Sequence, residues 1–435
     1  MRLPRYLLYI VGLLGIVALV AVACGGDEEE EKTTTPATTA PTSPSPTVAK
    51  LKTDVGVSDT EITLGQHTAL TGPVAAYQPI PPATKAYFEY INATEGGVCD
   101  RKIVFKYEDD GYTGAQALEK AKLLAPQVVA FVGNLGTPAH TGAVDYINEQ
   151  KIPDLYVSTG ASKWGNTATW PWTTGYIPDY FSEGKILGTY VDKNFAGKTV
   201  GILYQNDDFG KDGFNGFKST FKGSVVAEQS YEAGATDVTS QIINIKDKNP
   251  DVFYVFAVPN ITAAAIRYAR SNNWSPQFVT SYVNANTTIA SLLGGGTTTE
   301  QLTAGFQSAA GTINTTYLLT VPQDKDNPAV VKHGEIMSAY SGGSVNTLSI
   351  YGQSLAELVV ETLKIACENN DMTRAGVMKA AESIKGFATT LLLPGLKIDL
   401  SKTDHFAIQG LQVVKWNADG TLEKLGTPIS VGGGG

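Results

Sequence analysis

Two short loops carry residue types that could bind an anion. Gly136-Thr137 and Gly160-Ala161-Ser162 each follow a predicted strand. A helix predicted to begin near Thr137 would present unpaired amide hydrogens and a partial positive charge, which suit a carboxylate or another anion. The hydroxyl groups of Thr137 and Ser162 could add hydrogen bonds, and Gly160 would let a ligand approach the backbone closely. Alternatively, Thr137 only caps its helix and the second loop is an ordinary turn.

The sequence contains no recognisable catalytic or metal-binding motif. The histidines His67, His140, His333 and His405 are scattered without metal-site spacing, so each is interpreted as a surface residue or a hydrogen-bonded buried one. No nucleophile elbow, phosphate-binding loop or dinucleotide fingerprint occurs. The Asp109-Asp110 pair is more typical of a solvated turn or a helix cap than of a metal site. We therefore expect a binding protein rather than an enzyme, with no catalytic residue, metal or cofactor.

The amino-terminal segment indicates export. Basic Arg2 and Arg5 precede an apolar run that ends in Ala21-Val22-Ala23-Cys24. This order resembles a bacterial lipoprotein signal, which implies a signal peptide over 1–23 and lipidation of Cys24. The alternative is a plain transmembrane helix, since the apolar run is almost long enough to span a bilayer. The acidic, Thr-rich and Pro-rich residues 24–50 predict a disordered stalk because they offer almost no apolar surface to bury.

The rest of the chain is long enough for two lobes. About 385 of the 435 residues remain beyond the stalk, which exceeds the usual size of one domain. The net charge is −9 and there is no basic cluster, so nucleic acid is not an expected partner. In an oxidising compartment Cys99 and Cys367 are a candidate disulfide. Two buried free thiols are the alternative.

Short β-branched runs alternate with longer amphipathic ones from Glu61 onward. The predicted strands are 62–66, 103–107, 128–133, 155–158, 199–204, 225–229, 252–257, 278–282 and 407–416. The predicted helices are 81–95, 115–125, 139–150, 180–194, 211–221, 238–248, 262–272, 347–366 and 373–384. Strict alternation of this kind predicts an α/β fold with parallel, doubly wound sheets.

Two such series, separated near Pro171 to Asp179, predict two similar lobes. We assign 51–178 plus 310–390 to lobe 1 and 179–309 plus 391–431 to lobe 2. This division makes the chain cross between the lobes three times. The crossings would form a three-segment hinge.

Five loops in register resemble those of a known family. They are Leu70–Tyr77, Tyr107–Gly111, Val132–Thr137, Ser158–Ser162 and Asn206–Gly210. Together they resemble the type I periplasmic binding proteins of the leucine/isoleucine/valine-binding family, the extracytoplasmic receptors of ABC importers. The resemblance covers nearly all the chain past Val57. It implies a monomer, anchored to the bacterial membrane through Cys24, that closes on a small molecule and delivers it to permease subunits.

The resemblance also implies which residues bind the ligand. Positions matching Gly136, Thr137, Gly160, Ala161 and Ser162 hold the carboxylate and ammonium of an amino acid in family members. Aromatic residues at Tyr77 and Phe209 match pocket walls, although either could instead fill the core. We expect Trp164 to approach the cleft and Trp170 and Trp172 to pack beneath the hinge.

One position departs from the family pattern. Amino-acid binders place an acidic residue where this chain has Tyr282, and that residue balances the ammonium group of the ligand. Either Asp207 or Asp208 substitutes for it, or the ligand is not an ordinary α-amino acid. Carboxylates, aromatic acids, amides and urea-like molecules then remain open, with an amino acid or related compound placed first. A ligand sensor of the same fold and a hydrolase are the alternative functions.

Overall fold

The computed structural model describes residues 50–340 and 343–431. The predicted signal peptide over 1–23, the predicted lipidation site Cys24 and nearly all of the predicted stalk lie outside the described residues. In the described ranges the strands are β1 Lys52–Thr53, β2 Glu61–Thr68, β3 Lys102–Asp109, β4 Ala130–Val132, β5 Asp154–Val157, β6 Thr173–Gly175, β7 Thr199–Gln205, β8 Ser224–Tyr231, β9 Val252–Phe256, β10 Gln277–Thr280, β11 Ile313–Thr316, β12 Asp371–Met372, β13 Gly410–Trp416, β14 Leu422–Lys424 and β15 Ile429–Ser430.

From β2 to β10 the strands alternate with helices largely as the sequence predicts, whereas β10 and β11 are each followed by two consecutive helices. The described residues contain twelve α-helices. They are α1 Ile80–Thr94, α2 Gly114–Leu124, α3 Thr137–Glu149, α4 Tyr180–Asn194, α5 Asp208–Thr220, α6 Thr239–Lys246, α7 Pro259–Ser271, α8 Thr287–Gly294, α9 Thr299–Ala309, α10 Pro328–Tyr340, α11 Thr347–Glu368 and α12 Arg374–Ala381. Short 3₁₀ turns lie at Gly72–Tyr77, Ser162–Gly165 and Tyr282–Asn284.

Each lobe is built on a doubly wound sheet. The first sheet has the order β3-β2-β4-β5-β6, with every neighbouring pair parallel. In the second sheet, β8-β7-β9-β10-β11 are parallel, and β13 and β14 continue it antiparallel. In both sheets the chain starts in the middle, adds one strand to one side and then moves to the other. The predicted α/β fold class is confirmed.

Buried strands and one-sided helices explain this arrangement. All of β4 and β9 is buried, as expected for central strands of a covered parallel sheet. Pro81 lies in the first turn of α1, where its missing N–H group costs no helical hydrogen bond. The long helix α11 packs against α1 of the first lobe, which agrees with the predicted return of the chain to that lobe.

The pairing of β11 moves one predicted lobe boundary. Residues 310–390 were assigned to lobe 1, but β11 lies between β10 and β13 in the second sheet. β11 has a polar sequence but is fully buried. Its polar side chains are hydrogen-bonded, because Asn314 Nδ2 donates to Thr280 Oγ1 and Thr315 Oγ1 donates to Glu183 Oε1. The first lobe therefore resumes only after Thr316.

The second boundary moves as well. Residues 391–431 were assigned to lobe 2, but Phe406 pairs with Gly175 and packs with Trp164 of the first lobe. The chain therefore joins the second sheet only at β13. The predicted boundary at 178/179 falls just before α4.

Three chain segments connect the lobes. The first runs from β6 to α4, the second follows β11 and the third precedes β13. Leu319 N–H donates to Leu391 O at 2.9 Å, and Leu393 N–H donates to Tyr317 O at 2.9 Å, so the second and third crossings pair with each other. Ala407 N–H donates to Gly175 O at 2.9 Å, which ties the third crossing to the first.

The two candidate cysteines are joined within the first lobe. Cys99 lies in the turn between α1 and β3, and Cys367 lies near the end of α11. The structure links them as a disulfide across 268 residues of chain, with their Cα atoms 5.9 Å apart.

Candidate functional site

A cavity lies between the two lobes. It contains about 800 Å³ of empty space, including the mouth that opens to solvent. Residues of the first lobe that line it include Tyr77, Tyr112, Gly136, Thr137, Ser158 and Tyr351. Residues of the second lobe include Tyr180, Phe209, Val258, Tyr282, Asn286 and Thr316. Ile177, Tyr317 and Leu318 come from the hinge crossings.

The doubly wound topology explains why these residues meet. Tyr77, Tyr112, Thr137 and Ser158 follow the carboxyl ends of β2, β3, β4 and β5. Phe209, Val258 and Tyr282 follow β7, β9 and β10 in the same way, and Thr316 ends β11. Ligands of such sheets bind where strand order reverses, outside the carboxyl ends of the strands. The cavity combines this position from both lobes.

The start of α3 forms one wall. Gly136 has φ +97°, and a Cβ atom there would lie 2.6 Å from Tyr112 Cε2, so glycine fits both the backbone and the space. Thr137 is the first residue of α3, and its hydroxyl lies 2.6 Å from Thr159 Oγ1. Amide groups of the first helical turn have no acceptor within the helix. The wall therefore offers backbone N–H donors to the cavity.

Six tyrosine side chains line the cavity, from Tyr77, Tyr112, Tyr180, Tyr282, Tyr317 and Tyr351. Tyr351 donates to Ser158 Oγ at 2.6 Å and Tyr282 donates to Pro178 O at 2.6 Å. The hydroxyl groups of Tyr77 and Tyr317 have no hydrogen-bond partner among the described residues. Burial raises the pKa of both phenols well above the ordinary value, so both remain protonated donors at neutral pH.

The structure places five of the eight predicted ligand-binding residues around the cavity. Those five are Tyr77, Gly136, Thr137, Phe209 and Tyr282. The other three belong to the Gly160–Ser162 loop and do not line the cavity. The sequence does not mark Tyr112 and Asn286, which follow β3 and β10, because no local motif identifies them. Tyr317 and Tyr351 are also unmarked, because they reach the cavity from a hinge crossing and from α11.

The Gly160–Ser162 loop has a different role. Gly160 O accepts the Tyr180 N–H at 2.7 Å, and Ala161 is fully buried. Ser162 N–H donates to Asp212 Oδ2 of α5 at 2.7 Å. These contacts hold the loop against the second lobe rather than in the cavity. In the same correction, Trp164 is fully buried beside Val144, Val157 and Phe406 and does not line the cavity.

Hydrogen bonds and an ion pair join the lobes beside the cavity. Lys163 Nζ lies 2.6 Å from Asp208 Oδ2 and also donates to Thr141 Oγ1 at 2.8 Å. Gln205 Nε2 of the second lobe donates to the Tyr112 hydroxyl at 3.2 Å. We call Lys163–Asp208 and Ser162–Asp212 the interlobe latch. The latch can exist only while the lobes are close together.

The cavity wall carries no ionisable acid or base other than tyrosine among the described residues. Asp207, a suggested counter-charge, instead accepts the Gly210 N–H and so caps α5. Asp208, the other suggestion, pairs with Lys163. Neither replaces the acidic residue that the family pattern has at Tyr282.

A buried carboxylate lies behind Tyr282. Glu183 is fully buried and accepts from Ser281 Oγ at 2.7 Å, Tyr282 N–H at 2.6 Å and Thr315 Oγ1. Burial raises the pKa of Glu183 from 4.5 to about 8, against the opposing effect of these hydrogen bonds. At neutral pH Glu183 is therefore mostly uncharged. The donors that hydrogen-bond to its carboxyl group all belong to its own lobe.

Two of the scattered histidines meet behind α3. His67 Nδ1 lies 2.8 Å from Asp110 Oδ2, and His140 Nε2 lies 3.0 Å from Asp154 Oδ2. The facing ring nitrogens are 3.3 Å apart. All four side chains are fully buried, and burial lowers the pKa of His67. Both residues fit the sequence-based expectation of a buried, hydrogen-bonded histidine. The sequence does not predict that the two rings contact each other.

Neither a membrane-spanning helix nor a metal-binding cluster is found in the described part of the chain. Within residues 50–340 and 343–431, no helix combines the length and hydrophobicity needed to cross a bilayer. The same residues contain no cluster of three or more His, Cys, Asp or Glu side chains that could hold a metal ion.

Comparison with known proteins identifies the family. The family described as periplasmic binding protein matches residues 61–421, which is most of the chain. The chain belongs to the periplasmic binding protein family. The predicted resemblance to the leucine/isoleucine/valine-binding type is confirmed. Proteins of this family bind solutes outside the cytoplasm, which agrees with a cleft built for binding.

Two curated relatives of this periplasmic binding protein carry related names. Leu/Ile/Val-binding protein homolog 3 from Brucella melitensis is 26% identical over 206 residues, covering 45% of this chain and 54% of that protein. Leu/Ile/Val-binding protein BraC3 from Rhizobium johnstonii shows the same identity and coverage. The alignments thus span about half the length of these relatives.

Solved structures share the fold over a greater length. A fatty acid ABC transporter substrate-binding protein from Thermomonospora curvata has a TM-score of 0.75 at 22% identity, covering 88% of this chain and 96% of that one. A branched chain amino acid ABC transporter structure from Thermus thermophilus with bound valine has a TM-score of 0.75 at 17% identity, covering 87% and 98%. At these identities the similarity shows the fold.

Proposed function

We propose that this chain is the extracytoplasmic, lipid-anchored solute-binding protein of an ABC importer. In this proposal a small molecule binds in the interlobe cavity and the hinge closes the lobes around it. The observation that carries the proposal is a cavity walled by the strand ends of both sheets and by the hinge crossings. No bond is made or broken in the bound molecule.

The geometry of the lobes supports closure around the ligand. Each lobe supplies roughly half of the cavity wall, so a ligand contacts both halves only when they approach. Contacts made only in the closed state shift the equilibrium toward closure. The interlobe latch adds to that differential stability. Permease subunits would then recognise the closed, loaded form, as in the family that the chain belongs to.

The names of the relatives suggest two ligand classes. The Brucella and Rhizobium proteins are named for branched-chain amino acids, and the Thermus structure contains valine. The Thermomonospora structure is named for a fatty acid. These names support an amino acid or a related small compound with an apolar side.

The lipid anchor rests on Cys24 and the apolar run before it. Replacing Cys24 by alanine should release the protein from the membrane fraction and abolish incorporation of labelled fatty acid. A Cys24→Ala protein that remains membrane-bound and labelled would remove the anchor from the proposal.

A thermal-shift screen tests the binding function. A ligand that binds only the folded state raises the melting temperature, by an amount that increases with its concentration above Kd. Amino acids, organic acids and amides are compared on the purified chain. Deletion of the gene should then abolish cellular uptake of the stabilising compound. A compound that stabilises the protein while uptake is unaffected would contradict the importer role.

A further inference from the structure

The cavity wall offers hydrogen-bond donors and no counter-charge for a cation. Tyr77 and Tyr317 have hydroxyl groups without a partner in the described residues. Ser158 accepts from Tyr351, which leaves its own hydroxyl hydrogen available. The first-turn amide of Thr137 is a further donor. A ligand with acceptor oxygens can use all of these donors at once, whereas a hydroxyl that accepted from a ligand cation would supply no counter-charge.

The amide and carboxylate oxygens near the cavity already accept hydrogen bonds from the protein. The Asn286 side chain accepts the Thr288 N–H at 3.0 Å and donates to Val283 O at 2.7 Å. Glu183 takes its three donors from its own lobe and lies behind Tyr282. An ammonium group placed in the cavity would therefore be buried without an anionic partner.

The aromatic rings do not replace that partner. Cations bind over the open faces of aromatic rings. Here Tyr180 stacks on Tyr282 at 5.7 Å between centroids and contacts Phe209 edge-on at 4.7 Å. Tyr317 meets Tyr282 edge-on at 5.3 Å. The rings pack on one another, so they form an apolar wall rather than an open cage.

We infer that the cavity takes a monocarboxylic acid with an apolar body and no ammonium group. This inference rests on the proposed solute-binding function and specifies its ligand class. The carboxylate lies at the start of α3, where helix amides and the hydroxyls of Ser158, Tyr77 and Tyr317 provide donors. The apolar body contacts Ile80, Leu135, Ile177, Val258 and Leu348.

Matched ligand pairs test the inference on the full chain purified in detergent, after bound ligand is removed by reversible unfolding. Isothermal titration compares 4-methylpentanoate with leucine and 3-phenylpropanoate with phenylalanine, because each pair differs only in the ammonium group. At least one acid should bind about tenfold or more tightly than its amino acid. Tetramethylammonium should not bind.

The outcomes that overturn the inference are distinct. Tighter binding of the amino acid in both pairs, binding of tetramethylammonium, or stabilisation by another compound while neither acid binds contradicts the ligand class but leaves the solute-binding function intact. Absence of binding by both acids, together with no stabilising compound in the thermal-shift screen, contradicts both. The two proposals therefore fail in distinguishable ways.

Variants locate the effect in the cavity. Asn286→Asp adds a carboxylate to the wall with almost no change in shape and keeps the acceptor that caps α8. It should weaken acid binding about tenfold or more and favour the amino acid of each pair. Asn244→Asp adds the same charge on the exposed surface of α6 and should change neither affinity. Equal effects of the two substitutions would overturn the assignment.

Removing the free hydroxyls completes the test. Tyr77→Phe and Tyr317→Phe should each weaken acid binding by about tenfold, since a hydrogen bond to a charged group is lost. The melting temperature of the unliganded protein should change little, because neither hydroxyl bonds to the described protein. Undiminished acid affinity in both variants would show that the acid does not contact these hydroxyls.

Discussion

The interlobe latch should control how long a ligand remains bound. Ser162 N–H donates to Asp212, and Lys163 pairs with Asp208, across the gap between the lobes. An open protein lacks both contacts and leaves all four groups to water. Removing the latch should therefore destabilise the closed, liganded state without weakening the fold of either lobe. The effect should appear mainly as faster ligand dissociation.

The solvent exposure of the latch residues sets how much free energy the latch contributes. The side chains of Lys163 and Asp208 are 23% and 49% exposed, so their pair contributes about 0.5–1 kcal/mol. The hydrogen bond to Asp212 has a charged acceptor, but Asp212 is partly exposed, which reduces its contribution to about 1 kcal/mol. The Asp208→Ala/Asp212→Ala double variant should lose about 1.5–2 kcal/mol, which is a loss of affinity of about 10- to 30-fold.

Stopped-flow tryptophan fluorescence and isothermal titration measure this loss with the compound that gives the greatest thermal stabilisation. The experiments are run at pH 8, because burial raises the pKa of Asp212 to about 6 and the side chain is then ionised. Glu335→Ala is the matched control, since it removes one acid from the exposed Lys332–Glu335 pair within α10. An unchanged dissociation rate in the double variant would refute the latch. So would an equal loss of unfolding free energy in the unliganded protein.

Three further predictions concern α3, Glu183 and the disulfide. Gly136→Ala should weaken ligand binding about tenfold or more, because the new Cβ atom would collide with Tyr112. Gly395→Ala is the control, since Gly395 has a similar φ of +93° but open space around it. That variant should lower stability without changing the affinity measured by titration. Glu183 keeps its proton up to about pH 8 in the folded state but ionises near 4.5 when unfolded, so the free energy of unfolding should fall between these pH values, by at most about 1.4 kcal/mol per unit. Glu183→Gln should flatten that dependence in urea titrations, and parallel curves would contradict the raised pKa. Replacing Cys99 and Cys367 by serine should lower the free energy of unfolding by about 2–5 kcal/mol and make it insensitive to reductant, while continued sensitivity would exclude this disulfide as the cause.

Local patterns were sufficient to predict most of the fold. Strands such as β2, β7 and β9 contain β-branched runs, and the helices between them are amphipathic. Each of these patterns lies within a single segment, so it can be recognised without knowing the tertiary contacts. The sequence does not predict β11, because polar residues such as Asn314 and Thr315 are typical of loops. They can be buried in a strand only because their side chains hydrogen-bond to β10 and α4. The lobe boundary could not be placed without that pairing.

The cavity was only partly predictable. Tyr77, Thr137 and Phe209 follow strand ends in loops that the family resemblance marks. Tyr317 and Tyr351 reach the same cavity from a hinge crossing and from α11, and their long-range contacts leave no local motif. The Gly160–Ser162 loop has the residue types of a ligand clamp, but its backbone is held by Tyr180 and Asp212.

A distance measurement tests the central claim, that two lobes close on a ligand between them. Nitroxide labels at Glu119 on α2 and Lys211 on α5 occupy exposed positions on opposite lobes. Double electron–electron resonance should show a longer, broader distance distribution without ligand and a shorter, narrower one at saturating ligand. The same distribution in both samples, with binding verified by titration, would contradict closure.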